Sequence, residues 1–466
     1  MTLRRLACAC LAAALAGCNL PAAATPTHPA AGTPGRTPLL PLPPTPAPTP
    51  SATAAPSTRT EWPPAFNYGT VTAVPTAIPT QVPAYPFGPD VVNILLIGSD
   101  RRDGLSYRTD TLILLSIDKR AGAAALLSVP RDLFVYLPGY TMQRINSADH
   151  YGEVLGYPGG GPSMLADAFL YNLGIRVDYQ ARIEMGAFRQ LIDTLGGIDV
   201  RVGCTFTDWR LRSADLDPED EDSWSLYTVE PAVVHMDGDL ALWYARARSH
   251  SSDFDRARRQ QEILRAIFRQ ALRLELVSQL PSLYTELTSM VSTDLPVTVL
   301  VQLAAVVPRL GPAEIRSRFI GRDQVSSWRV PATGALVLVP KAAAIRGLLE
   351  EALDFSDPDP LVPPTYVTVE VINASSNPDW AWLAAERMEY AGFRTYIGSD
   401  SSAPHSTRLI DFGTQASEVR QRLTQALGLP GSWIEADLDP DSPFPYRLIV
   451  GDNYDPCFDP TRGQGG

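Results

Sequence analysis

Between positions 244 and 264 the chain gathers basic side chains in a pattern that its acidic overall charge does not explain. Arg256, Arg259 and Gln260 fall at i, i+3 and i+4, so on a helix they share one stripe, which runs on into Ile263, Leu264 and Ile267. The cationic patch therefore points where the apolar face points. Cations in the first turn of a helix oppose the macrodipole, so an anion is expected beside them. It is either Asp253 and Asp255 of the chain itself or a phosphate bound at the N-terminal turn. Just upstream, Tyr244-Ala245-Arg246-Ala247-Arg248 alternates and, read as an extended strand, places both arginines on one face. Two neighbouring guanidiniums repel unless a multiply charged anion or several carboxylates share them, and phosphate oxygens match their donor fork.

A second group lies earlier. Asp100 and Asp110 stand at the ends of successive apolar runs, and Arg131 follows Pro130 at the end of a third. Magnesium commonly takes one or two carboxylates together with phosphate oxygens and water, so the aspartates are a candidate cation pair and Arg131 a candidate phosphate ligand. Aspartates in such places also serve as caps and turn formers.

Strand-length apolar runs at Val91–Ile97, Thr111–Ile117 and Ala123–Val129 position these residues, each run ending in polar ones. Ser163–Leu173 and Met185–Leu195 read as helices, with Gly196-Gly197 as a stop before a short strand Ile198–Val202. Asp215–Asp222 reads as an exposed acidic loop. Arg256–Leu276 is a strongly amphipathic helix. Further helices are expected through Leu310, then short strands to about Val339. The alternation predicts an α/β or α+β sandwich.

The chain has 466 residues, 45% hydrophobic and 19% charged, which suits two or three packed domains. A net charge of -12 argues against sequence-independent attraction to nucleic acid, so any anion site must be local. Arg4 and Arg5 precede an apolar segment, Leu6–Leu15, too short to span a bilayer, which reads as a secretory signal. Leu15-Ala16-Gly17-Cys18 resembles a bacterial lipobox, predicting a signal over 1–18 and an acylated Cys18 that anchors the chain to the outside of the membrane. With Cys8 and Cys10 lost with the signal, Cys204 and Cys457 remain as a possible disulfide. Residues 19–88 are rich in Pro, Thr and Ala and read as an extended stalk. The main domain is expected over 89–355, a proline-rich linker over 356–364, a small α/β domain over 365–456 with a strand Tyr366–Ile372, a helix Trp380–Ala391 and a strand Tyr446–Val450, and a tail over 457–466.

In order along the chain stand Asn93-Ile94-Leu95-Leu96-Ile97-Gly98-Ser99-Asp100, Arg108-Thr109-Asp110-Thr111, Ser128-Val129-Pro130-Arg131-Asp132, Arg144-Ile145-Asn146-Ser147-Ala148, Leu195-Gly196-Gly197-Ile198-Asp199, Tyr244-Ala245-Arg246-Ala247-Arg248 and Asp253-Phe254-Asp255-Arg256 with Arg259-Gln260-Gln261. This succession resembles the LytR-CpsA-Psr family of envelope transferases. The resemblance implies a mixed central sheet between flanking helices, with an apolar cavity for a polyprenyl tail. It implies transfer of a glycopolymer from a polyprenyl-pyrophosphate carrier onto peptidoglycan. Asp100 and Asp110 would hold Mg²⁺ or Mn²⁺; Arg131, Arg246, Arg248 and Arg256 would grip the pyrophosphate, with Arg259 and Gln260 beside it and Asp253 as a candidate base. The smaller domain, with Val369-Glu370-Val371-Ile372-Asn373, Ala384-Ala385 and Ala391-Gly392-Phe393, resembles the LytR C-terminal domain. The chain departs from the family in its lipobox and stalk, in Arg144 where lysine is commoner, and in Asp149 where an aromatic is frequent.

Two other readings use the same residues. A lipid-linked pyrophosphatase would take water as its acceptor. A non-catalytic wall-binding or regulatory lipoprotein would bind without turnover.

Overall fold

The computed structural model describes residues 77–100, 108–213, 216–217, 219–248, 253–276, 284, 287–331, 333–355, 367–401, 406–413, 415 and 417–457. The signal, Cys18, most of the stalk, the linker 356–364, part of the acidic loop and tail residues 458–466 lie outside them.

Three strands carry the polar motifs: β1 (Val91–Ser99), β2 (Thr109–Asp118) and β3 (Ala123–Ser128). They form an antiparallel meander within a six-stranded mixed sheet, β1 also pairing parallel with strand Tyr179–Glu184 and β3 parallel with Ile315–Phe319. Both faces are apolar. Leu95, Ile97, Leu112, Leu114 and Leu127 pack on one side against helices Gly160–Leu173 and Ala342–Leu353, through residues such as Leu165, Phe169 and Leu349. Ile94, Ile113, Ile117 and Leu126 face the other side, where Leu264 and Phe268 of helix Asp253–Arg273 and Leu303 of helix Val297–Ala304 cover them. A sheet covered on both faces needs near-continuous apolar strands, which is why these three were legible. The architecture is the expected α-β-α sandwich with a mixed central sheet.

The smaller domain is a five-stranded sheet in the order Arg394–Ile397, Thr368–Asn373, Tyr446–Val450, Arg408–Asp411, Ile434–Ala436, with helices Trp380–Tyr390 and Ser417–Leu427. Its own core includes Val369, Val371, Met388, Phe393, Leu423 and Leu448. Cys204 and Cys457 are joined in a disulfide, at a sequence separation of 253.

The stalk boundary at 88 is corrected. The Val82 amide donates to the Tyr171 carbonyl at 2.9 Å and the Tyr85 amide to the Gly174 carbonyl at 2.8 Å, while Tyr85 and Phe87 pack on the main core. The two aromatic side chains give this stretch apolar surface to bury.

Candidate functional site

The meander brings the motif ends together. β1 and β2 are antiparallel with Gly98 opposite Thr111, and β2 and β3 are antiparallel with Ile113 opposite Ser128, so Asp100, Asp110 and Arg131 gather at one end of the sheet. Gly98 is required by close approach: a Cβ there would lie 2.9 Å from the Thr111 Cβ. Strand Tyr179–Glu184 runs parallel to β1 with Glu184 opposite Ser99, adding another acid at the same end.

A cavity of about 570 Å³ lies at this end. Ser99, Asp100, Asp110, Arg131, Glu184, Arg246, Arg248, Arg256 and Gln260 supply its polar lining. Leu96, Ile113, Ala181 and Ile183 of the sheet, Phe188 and Leu191 of helix Met185–Thr194, Leu242 of helix Gly238–Arg246, and Ile263, Leu264 and Ile267 of helix Asp253–Arg273 make its apolar wall. One space thus joins a charged end to a greasy one.

Charges at the polar end are close-set. Arg131 donates to Asp110 Oδ1 at 2.6 Å and lies 3.5 Å from Asp132, while Arg248 reaches the same Asp110 oxygen at 3.7 Å. Asp100 Oδ1 accepts from the Arg108 amide at 2.7 Å. Burial disfavours the Arg131 charge, but the hydrogen bond and charge of Asp110 outweigh it and its pKa is raised. Arg248 is shifted the other way, by burial and then by neighbouring Arg131. Arg256 is pulled furthest, down to about 10, because burial outweighs the help of Asp253, with Arg248 and Arg131 adding repulsion. Cations whose charge is disfavoured in this way gain most from an arriving anion.

Arg246 and Arg248 both line the cavity, but not as strand neighbours. Arg246 is the last residue of helix Gly238–Arg246, and Ala247 (φ -55°, ψ 140°) takes the chain out of it. A basic residue suits a helix C-terminus, and the helix is capped at its start by Asp237, whose side chain accepts from the Leu240 amide. The alternation that resembled a strand spans a helix end.

Arg259 is a correction of a different kind, since it does not line the cavity. Its side chain is fully buried; Nε donates to the Tyr244 carbonyl at 2.9 Å and a terminal nitrogen to the Ala247 carbonyl at 2.5 Å, with the guanidinium 4.0 Å above the Phe206 ring. At i+3 from Arg256 it has rotated past the wall, whereas Gln260 remains on it and donates to the Ala245 carbonyl at 3.2 Å. Asp253, the candidate base, pairs with Arg256 at 3.0 Å and is not on the wall. Both expected sources of compensation for the helix-start cations are therefore present, an internal carboxylate and an open space for an anion.

Arg144 pairs with Asp132 at 3.2 Å and donates to the Leu336 carbonyl at 2.8 Å; Asp149 is buried and paired with Arg182. Neither lines the cavity. Ser99 and Glu184 do, and sequence reasoning missed them as site residues. Ser99 sits inside an identified motif, but the strand ending at Glu184 reads Tyr-Gln-Ala-Arg-Ile-Glu, with too little apolar alternation to register. Asp100 and Asp110 are hard oxygen donors on one wall, which suits a cation completed by phosphate oxygens and water. Among the described residues no group of three or more His, Cys, Asp or Glu forms a self-sufficient metal cage.

Residues 80–343 match the model of the LytR_cpsA_psr family. The chain belongs to that family. Residues 366–454 match a second model, described as LytR cell envelope-related transcriptional attenuator. The chain is 32% identical over 208 residues to the polyisoprenyl-teichoic acid–peptidoglycan teichoic acid transferase TagU of Oceanobacillus iheyensis, covering 44% of this chain and 59% of that relative. It is 32% identical over 191 residues to the probable cell wall biosynthesis protein LcpB of Corynebacterium glutamicum, covering 38% of this chain and 41% of that one. The chain therefore spans less than two thirds of the length of either. The crystal structure of Bacillus subtilis TagV is similar over 58% of this chain and 100% of its own, at 23% identity and a TM-score of 0.46.

Proposed function

We propose that this protein is an envelope phosphotransferase that moves a glycopolymer from a polyprenyl-pyrophosphate carrier onto peptidoglycan. The cavity carries the reading: four guanidiniums and two aspartates at one end, an apolar wall at the other, in a single space of about 570 Å³. A diphosphate ester of a long hydrocarbon has this division of chemistry. The names of the TagU and LcpB relatives, a teichoic acid transferase and a cell wall biosynthesis protein, favour a glycopolymer as the carried group.

In the reaction the acceptor hydroxyl attacks the phosphorus that bears the sugar. A new phosphorus–oxygen bond forms, the bond to the bridging oxygen breaks, and polyprenyl phosphate leaves with the proton that the hydroxyl gives up. Arg131, Arg246, Arg248 and Arg256 bind the non-bridging oxygens and stabilise the charge that develops on the leaving phosphate. Asp100 and Asp110 would hold Mg²⁺ or Mn²⁺, which supplies further charge neutralisation when bound. The apolar wall holds the carrier chain and fixes the phosphorus relative to the arginines.

Cys18 as the lipid attachment point, with residues 19 to about 78 as the spacer, would set the domain outside the membrane beside both substrates. Among the described residues no helix is long and apolar enough to cross a membrane.

The test is to incubate the purified protein with a labelled polyprenyl-pyrophosphate glycan and peptidoglycan. Label in peptidoglycan, dependent on Arg246 and Asp110, supports transfer. Release of phosphate products without labelled peptidoglycan supports the pyrophosphatase, and binding with no turnover supports the regulatory lipoprotein.

A further inference from the structure

Helix Asp253–Arg273 presents Arg256 and Gln260 to the cavity and then, two turns on, buries Arg265 and Arg269 against the smaller domain. Arg265 is 2% exposed. Its guanidinium donates to Glu386 Oε1 at 3.1 Å and to the carbonyls of Ile315 and Pro312, each at 3.0 Å, so it ties the helix to an edge strand of the central sheet and to the second domain at once. Arg269 reaches the other Glu386 oxygen at 2.6 Å, and Arg201 reaches it at 3.1 Å and Glu389 at 3.2 Å. Glu386 thus accepts from three guanidiniums of the first domain. In spite of burial those three hold its carboxyl down, to about 2.

A buried cation with no partner is costly, and the smaller domain supplies the partners. No substrate or metal is needed to account for these carboxylates, yet two of the arginines they hold, Arg265 and Arg269, lie on the same helix as Arg256. A helix cannot settle at one end independently of the other. We infer that Glu386 of the smaller domain is a positioning residue for the transfer site: it fixes the helix that carries Arg256 and Gln260, so the second domain is part of the working enzyme. This rests on the transfer reading for its kinetic readout only.

The experiment uses the full chain and two readouts, binding of inorganic pyrophosphate by calorimetry and transfer from a polyprenyl-pyrophosphate glycan. Glu386→Gln should weaken pyrophosphate about fivefold or more and lower kcat in parallel, at a temperature where thermal unfolding shows it folded. Glu386→Asp should recover part of both. Glu435→Gln, which breaks a surface pair with Arg408 inside the smaller domain, should leave both unchanged. Should Glu386→Gln fail to fold, Arg269→Gln removes the same contact from the other side and must show the same shifts. Unchanged pyrophosphate affinity and kcat in folded Glu386→Gln or Arg269→Gln, with only a lower melting temperature, would overturn the inference. Wild-type protein that binds pyrophosphate without transferring sinks the transferase reading instead, and the calorimetric comparison still decides the positioning role.

Discussion

Arg259 Nε donates to the main-chain carbonyl of Tyr244 at 2.9 Å, and its second arm takes the Ala247 carbonyl at 2.5 Å. These are carbonyls that helix Gly238–Arg246 leaves without an intrahelical donor at its end. The side chain therefore closes that helix and sets the path of Arg246-Ala247-Arg248. Tyr244 itself is tied to the long helix through Glu262 Oε2, to which its hydroxyl donates at 2.8 Å.

Replacing Arg259 by methionine keeps volume but leaves two buried carbonyls unpaired. The expected loss is about 2–3 kcal/mol of stability, at roughly 1–3 kcal/mol per orphaned group with partial relaxation. Pyrophosphate affinity should fall as well, because Arg246 and Arg248 lose their frame. Thermal unfolding and calorimetry check the two effects; retained affinity at lowered stability would reduce Arg259 to packing.

Asp110 is shared between Arg131 at 2.6 Å and Arg248 at 3.7 Å. Asp110→Asn removes a negative charge from the wall, so without divalent ions inorganic pyrophosphate should bind more tightly than to wild type. With Mg²⁺ the order should invert, since the metal loses a ligand. Titrations with and without Mg²⁺ separate a metal-holding Asp110 from one that serves only to space arginines, for which no inversion occurs.

Much of this was readable from residues. The strands ending at Ser99 and Ser128 and the one opening at Thr109 stood out because a sheet buried on both faces leaves unbroken apolar runs, and the long helix because its stripe repeats over several turns. Arg246, Arg248, Arg256, Asp100, Asp110 and Arg131 converge on one cavity as their types suggested. What failed depended on rotation and ends. Arg259 and Arg256 share a stripe at i and i+3, yet about 60° of helical rotation separates a cavity wall from a core. Ala247 breaks a helix that two-residue alternation disguised as a strand. Glu386 gave no signal, because its partners lie more than a hundred residues away in another domain.

Acid should weaken the interdomain contact. Glu386 ordinarily titrates at 4.5 and is held at about 2 in the fold despite its burial, through Arg269, Arg265 and Arg201. A depressed carboxyl contributes stability that is complete above its unfolded value and is lost as pH falls through the folded one. Stability should therefore decline between about pH 4.5 and 2, with Glu386 supplying on the order of 3 kcal/mol of that decline. Glu386→Gln should be less stable at neutral pH and show a flatter acid limb in urea unfolding followed against pH. A limb as steep as that of wild type would assign the acid sensitivity elsewhere.

Reduction should loosen the same assembly. The Cys204–Cys457 bond closes a loop of 253 residues, for which chain entropy gives roughly 5 kcal/mol relative to the open chain. Wild type under strong reductant, or Cys204→Ser with Cys457→Ser, should melt at a lower temperature. Equal melting temperatures with and without reductant would mean that the carboxylate–arginine contacts alone hold the smaller domain.

The apolar wall makes a demand that the charged end does not. Ala181 lines the cavity on the strand beside β1, opposite Leu96, and its small side chain leaves room in front of the sheet. Ala181→Leu pushes three carbons into that room while touching none of the arginines. A carrier chain displaced from the wall loses about 0.8 kcal/mol for each methylene returned to water, so losing two of them costs about tenfold in affinity. Inorganic pyrophosphate, which has no tail, should bind Ala181→Leu as it binds wild type. Competition binding with long-chain polyprenyl pyrophosphate and with inorganic pyrophosphate tests this. A substitution that weakens both equally would mean that the wall shapes the head-group site and the hydrocarbon lies elsewhere.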